Sequence, residues 1–273
     1  MKKLHAWMAP VAVGLLLAAA AFPLYWTLKS SLVPEAELFR DPSFLPRQIT
    51  LDHYRSLFEV RRFWIPIRNS LVVAGATTFF AVGVGSLCAY ALARMRFRGK
   101  GVLLSFILAI SMFPQISIVS PLYLVLRELG LINTYPGLIL PYLTFATPLT
   151  VWLLVGFFRQ LPPHLEEAAR IDGAGRMRSF WEIILPLSVP GIATTAILTF
   201  LYAWNEFLFA LSFTVGPERQ TVPVAIALFR GRYQVPWGEI LAGVVVATLP
   251  VALLVLFFQG RIVRGLTSGA VKG

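Results

Sequence analysis

The chain has 273 residues, 57% of them hydrophobic and 14% charged, with a net charge of +11 and a mean hydropathy of +0.73. A soluble domain carries about 25% charged residues, so these charges are too few to cover a water-facing surface, and the length suits one polytopic membrane domain. The positive charge is not read as a nucleic-acid footprint, because no Lys/Arg stripe is interleaved with aromatics outside the apolar blocks, whereas cytoplasmic loops collect Lys and Arg.

Six uncharged runs are long enough to be helical spans, since crossing the hydrocarbon takes about 20 helical residues. The first lies within 4–28. Lys2, Lys3 and the small residues Ala18–Ala21 give it the start of a signal peptide. The run continues through Phe22, Leu24, Tyr25, Trp26 and Leu28, past the length of a signal h-region. Residues 1–28 are therefore predicted to be an uncleaved first transmembrane helix.

Residues 29–68 form an extracytoplasmic segment. Leu51, Tyr54, Leu57 and Phe58 recur at helical spacing and predict a short helix at the interface. The second span lies within 69–93, where Gly83 and Gly85 are expected to permit close helix approach. The lone cysteine, Cys88, sits in this apolar run and is read as a packing residue. Arg94, Arg96, Arg98 and Lys100 follow without an acid, whereas 121–138 carries only Arg127 and Glu128. The asymmetry places both termini in the cytoplasm.

The third and fourth spans lie within 101–126 and 129–158. Pro114, Pro121, Pro141 and Pro148 predict kinks in them. Gln115, Ser117 and Ser120 are polar residues of the third span, suited to lining a path or to helix–helix hydrogen bonding. The connection 159–186 has the grammar of two short helices. Pro162 and Pro163 suit a helix start, Leu165, Ala168, Ala169 and Asp172 are expected to share one face, and Asp172-Gly173 breaks the first helix. Met177, Phe180, Trp181 and Ile184 make a second apolar stripe, and Pro186 marks the entry to the next span. Ala168 and Ala169 let a partner approach, and Glu166 and Glu167 are expected to pair with partner cations.

The fifth span lies within 183–205 and extends to about Phe213. Glu206 is the one carboxylate in an otherwise membrane-depth run, and Asn205 beside it offers an amide. The pair either touches a substrate or closes the bundle. Segment 214–238 holds Arg230, Arg232, Tyr233 and Trp237, and its apolar run Thr221–Phe229 is too short to cross. The sixth span lies within 240–260, so 69–263 forms the main transmembrane domain and 264–273 a Gly-rich tail. No G-x-x-x-x-G-K-[ST] loop is present, and His5, His53 and His164 are scattered, so neither nucleotide binding by that route nor a metal site is expected.

Glu167-Ala168-Ala169, then Gly173, then Ile183-x-Leu185-Pro186 resembles the complete EAA loop of ATP-binding-cassette importer permeases. Asn69-Ser70-Leu71, Ala203-Trp204-Asn205-Glu206-Phe207 and the end segment from Arg264 are similar to the maltose-type sugar permeases of the shorter six-span type. The resemblance covers about residues 50–273. It implies an all-α type I importer bundle in the bacterial inner membrane that carries a sugar or related polyol and is not an enzyme. Its implied partners are membrane lipid, a second permease subunit, an extracytoplasmic solute-binding protein and a dimer of ATPase subunits that hold the ATP and Mg. In the family the EAA loop docks into the ATPase, which assigns that role to Glu166, Glu167, Ala168, Ala169, Asp172, Gly173, Ile183, Leu185 and Pro186. Contact with the binding protein falls to Arg230, Arg232 and Tyr233. An ion- or proton-coupled secondary transporter is the competing class, but it would want buried acids or inverted repeats.

Overall fold

A computed structural model describes residues 2–40, 43–229 and 235–268. The described chain is helical: α1 (Lys2–Ser31), α2 (Asp52–Glu59), α3 (Trp64–Arg94), α4 (Lys100–Ser111), α5 (Gln115–Glu128), α6 (Tyr135–Gln160), α7 (His164–Ile171) and α8 (Arg176–Ser179). A π-helical stretch, Phe180–Ile184, leads into α9 (Leu185–Leu187), α10 (Val189–Trp204), α11 (Leu208–Phe213), α12 (Val222–Ala227) and α13 (Trp237–Ser268).

Four stretches are each long and apolar enough to cross a bilayer: Pro10–Ser31, Trp64–Arg94, Tyr135–Gln160 and Trp237–Gly260. The third and fifth predicted spans are not single rods. Lys100–Ser111 meets Gln115–Glu128 at 86°, and Arg176–Leu187 meets Val189–Trp204 at 78°. Counting each bent pair as one span gives six. Pro114 explains the first break, because a proline pushes the residue before it out of the helical region and Pro114 itself is extended, with ψ 117°. Pro121, Pro141 and Pro148 stay inside unbroken helices. The second turn falls at Ser188, two residues beyond Pro186.

The chain divides into two compact units. One comprises residues 1–64 and 225–250. Here the predicted helix near residue 51 forms as α2. It buries Leu57 and His53, and the His53 ring meets the Val33 carbonyl at 2.9 Å. Glu35 accepts the Trp237 and Gly238 amides at 3.0 and 2.8 Å, supplying the N-terminal cap of α13. Glu239 accepts from the Ser56 hydroxyl and the Arg61 guanidinium at 2.6 and 2.7 Å.

The other unit comprises residues 65–224 and 251–273. Its buried centre is made by α3, α6 and α10. Gly85 lets α3 come close to α6: a Cβ there would stand 2.9 Å from Thr150 Cγ2, whereas Gly83 faces open space. Thr150 in turn meets Thr199 hydroxyl to hydroxyl at 2.9 Å. At one end, Asn69 donates to the Glu218 and Gln220 carbonyls, both at 2.9 Å. Asn133 donates to the Glu218 carboxylate, and that bond holds the Glu218 carboxyl below its ordinary range. At the other end, Tyr90, Leu92, Leu154, Phe158, Phe180 and Ile184 pack as one apolar cluster beneath the loop 159–186.

Candidate functional site

The loop begins where Pro162 and Pro163 end α6 and start α7. Helix α7 ends as a Schellman motif. The Gly173 amide bonds the Arg170 carbonyl at 3.1 Å and the Ala174 amide bonds the Ala169 carbonyl at 2.8 Å. Gly173 sits at φ +81°, the left-handed conformation that glycine adopts without steric cost. The sequence-predicted break is therefore a closed turn, not a loose end.

The faces of α7 differ from the expectation in two respects: Leu165, Ala168, Ala169 and Asp172 do not share one environment, and one acid turns inward. Ala169 is buried and Leu165 half-buried, while Glu167, Ala168, Ile171 and Asp172 are exposed. Glu166, expected among the outward acids, is buried. Its Oε1 accepts from the Tyr90 hydroxyl at 2.9 Å. Its Oε2 stands 2.7 Å from Arg94 Nε, in an ion pair whose side chains are 7% and 9% exposed. The physical reason is that Arg94, the last residue of α3, needs an acid to be buried at all. Arg94 also donates to the Leu161 and Pro162 carbonyls at 2.9 and 3.3 Å, and the Tyr90 hydroxyl lies 3.2 Å from the Arg176 carbonyl. Both limbs of the loop are thus held to the end of α3. Tyr90 and Arg94 are site residues that sequence reasoning missed. Their only sequence signal is a tyrosine and an arginine one helical turn apart at the end of a span.

On the second limb, Phe180 and Ile184 are buried, but Met177 and Trp181 are 58% and 56% exposed. Phe180 and Ile184 stand at the two ends of the π-helical stretch and pack inward. Ile183 and Leu185 are half-buried, and Pro186 is exposed. The outward surface therefore presents Glu167 and Ala168 together with the large apolar side chains of Ile171, Met177 and Trp181.

The residues considered for a substrate path divide. Glu206 is buried, and its two carboxylate oxygens accept the Phe209 and Ala210 amides at 2.7 and 3.1 Å. It caps the N-terminus of α11. Asn205 is exposed and donates to the Leu201 carbonyl at 2.7 Å. Gln115 donates to the Tyr202 hydroxyl at 2.7 Å, and Tyr202 lies within electrostatic reach of Glu206. Ser117 and Ser120 are exposed on α5 and are not part of this network. Arg230, Arg232 and Tyr233 lie outside the described residues, as do residues 269–273 of the tail.

Long apolar helices, two of them formed by bent pairs, with a two-limbed amphipathic loop clamped to the end of one span, define a polytopic membrane protein. The chain belongs to the family of binding-protein-dependent transport system inner membrane components, which matches residues 81–268. It is 46% identical over 256 residues to the trehalose transport system permease protein SugB of Mycobacterium tuberculosis, covering 93% of each chain. It is 42% identical to the trehalose/maltose transport system permease protein MalG of Thermococcus litoralis, covering 92% of this chain and 91% of that one. Its fold matches a chain from the crystal structure of a bacterial ABC transporter that imports the acidic polysaccharide alginate, with a TM-score of 0.81 at 22% identity over 94% of this chain and 96% of that one. The chain is accordingly an integral inner-membrane transport component and not an enzyme.

Proposed function

We propose that this chain is one of two permease subunits of an ATP-driven sugar importer, that both its termini are cytoplasmic, and that the outward face of loop 159–186 is where the ATPase docks. The ATPase subunits supply the ATP and Mg chemistry, and the solute-binding protein delivers the cargo on the opposite side. Relatives named for trehalose and maltose transport support a sugar as the cargo. The observation that carries the docking assignment is the loop's geometry. Glu167 and Ala168 face outward on a helix closed at Gly173, while Glu166 on the same helix is ion-paired to the end of α3. A push on the outer face is then delivered to a span instead of being absorbed by a mobile loop.

The path for cargo is assigned to the break in the third span. Non-helical backbone at membrane depth is tolerated where it is buried in protein or lines a water-filled cavity, and Gln115, with its partner Tyr202, sits at the 86° bend. Glu206 is assigned to capping α11. The test of docking is Ala168→Trp in the purified complex. The bulky side chain is expected to reduce ATPase retention or abolish substrate-stimulated hydrolysis while leaving membrane insertion intact. A normal complex with normal stimulated turnover removes the docking assignment. Reporter fusions near residues 45 and 98 check the orientation, with the outside and the cytoplasm the expected answers.

A further inference from the structure

Beside α7 lies a polar cleft of about 420 Å³. Five cations line it: Arg94 from the end of α3, Arg96 from the turn, Lys100 from the start of α4, and Arg170 and Arg176 from the two limbs of the loop. Against them stand two carboxylates, Glu166 and Glu167. Glu166 is already committed to Arg94. No ion pair among the described residues engages Arg96, Lys100, Arg170 or Arg176. A concavity with this surplus of positive charge is repelled by itself and attracts an anion. Guanidinium forks converging from separate elements suit the several oxygens of one phosphate group.

We propose that this cleft binds a phosphate group, and that its source is the headgroup of an anionic lipid in the cytoplasmic leaflet. The placement favours that source. The cleft is built on the turn between two spans, so it lies at the level where α3 leaves the bilayer and α4 enters it. Phe97 in the turn and Val102, Leu103 and Phe106 just beyond it are exposed apolar side chains, which places lipid next to the opening. Basic pockets between spans on this side of a membrane bind such headgroups. A phosphate seated here bridges the α3–α4 turn to both limbs of the loop, so its occupancy tightens the same connection that the Arg94–Glu166 pair makes. The proposal rests on the cytoplasmic orientation given above and adds a ligand to that site.

The experiment uses the purified complex of both permease subunits with the ATPase. It is placed in nanodiscs of phosphatidylcholine alone or with phosphatidylglycerol, and retained lipid is read by native mass spectrometry alongside substrate-stimulated hydrolysis. Wild type is expected to retain phosphatidylglycerol in preference to phosphatidylcholine and to hydrolyse faster in its presence. The double variant Arg96→Gln, Lys100→Gln is expected to retain phosphatidylglycerol about 30-fold less well, from about fivefold for each cation removed near a charged leaflet, while keeping its ATPase. Inorganic phosphate is added to phosphatidylcholine discs as a separate arm. If it reproduces the stimulation in wild type but not in the variant, the phosphate site stands and its ligand is the soluble ion. Equal lipid retention by wild type and variant overturns the proposal. So does loss of the ATPase from the variant in every lipid, which would make the cleft the seat of an acidic ATPase segment. Ala168→Trp separates the two ideas: it is expected to disturb docking and leave lipid retention unchanged.

Discussion

Glu166→Ala tests how the loop is held. The substitution leaves the Arg94 guanidinium in a site where its side chain is 7% exposed. Removing one partner of a buried pair costs about 3–5 kcal/mol. Arg94 keeps two backbone carbonyl partners, which argues for the lower end, about 3 kcal/mol. The Tyr90 hydroxyl also loses an acceptor but keeps the Arg176 carbonyl within reach. At one tenfold step per 1.4 kcal/mol, amide exchange protection across α7 should fall about a hundredfold. Exchange measured by mass spectrometry on the purified complex reads this directly. Glu167→Ala, on the exposed face, should change protection by less than about threefold, because surface substitutions stay within about 0.5 kcal/mol. Glu166→Leu with Arg94→Met should recover most of the protection, since replacing a buried pair by apolar side chains is often neutral. Unchanged exchange in Glu166→Ala, or equal losses in Glu166→Ala and Glu167→Ala, would refute the clamp.

Gly173→Val should lower ATPase retention and stimulated hydrolysis while Gly173→Asn preserves both. A Cβ at this position meets open space, so the penalty is purely the left-handed backbone, about 1–2 kcal/mol for most residues and least for Asn. Gly85→Leu should lower the thermal stability of the detergent-solubilised complex by the equivalent of about 1–3 kcal/mol, because its side chain enters the space held by Thr150. Glu206→Ala should destabilise the protein by about 0.5–2 kcal/mol through loss of the α11 cap. Glu206→Gln should still accumulate sugar, and collapsing the proton gradient at constant ATP should leave uptake unchanged in both wild type and variant. Uptake that follows the gradient would favour the proton-coupled class, with Glu206 as its buried acid.

Much of the fold was legible because membrane spans announce themselves by length and composition. The runs containing 69–93, 129–158 and 240–260 appear as α3, α6 and α13; α3 and α13 extend beyond their uncharged cores, whereas α6 begins only at Tyr135. The breaks were less legible. Pro114, Pro121, Pro141 and Pro148 look alike in sequence, and only Pro114 sits at a break. The difference lies in whether neighbouring helices re-satisfy the freed backbone, which is a property of packing. In the loop, Gly173 was readable because a local turn needs a local residue. The inward turn of Glu166 was not, because its partner Tyr90 is 76 positions away. Glu206 was readable as a special residue but not as a cap, since the restart of the helix at Leu208 gives no sequence signal in so apolar a run.

The adjacent carboxylates of α7 show how one short helix serves two purposes. Successive residues of a helix are rotated by about 100°, so Glu166 and Glu167 point in different directions although both border the basic cleft. Glu166 faces the end of α3, where burial makes its ion pair obligatory. Glu167 faces outward, where an acid costs nothing in isolation and is available to a partner. The small residues divide in the same way. Ala169 is buried on the inner side of α7, and Ala168 leaves the outer side low enough for a surface to close on it. A larger residue at Ala169 would lift α7 away from the α3 end, whereas one at Ala168 would only obstruct the partner. Ala169→Leu should therefore weaken the clamp even in the isolated permease pair, and Ala168→Trp should be silent until the ATPase is added. Exchange in α7 measured with and without the ATPase distinguishes the two. If both substitutions loosened α7 equally in the absence of the ATPase, the division between an anchoring face and a docking face would be wrong.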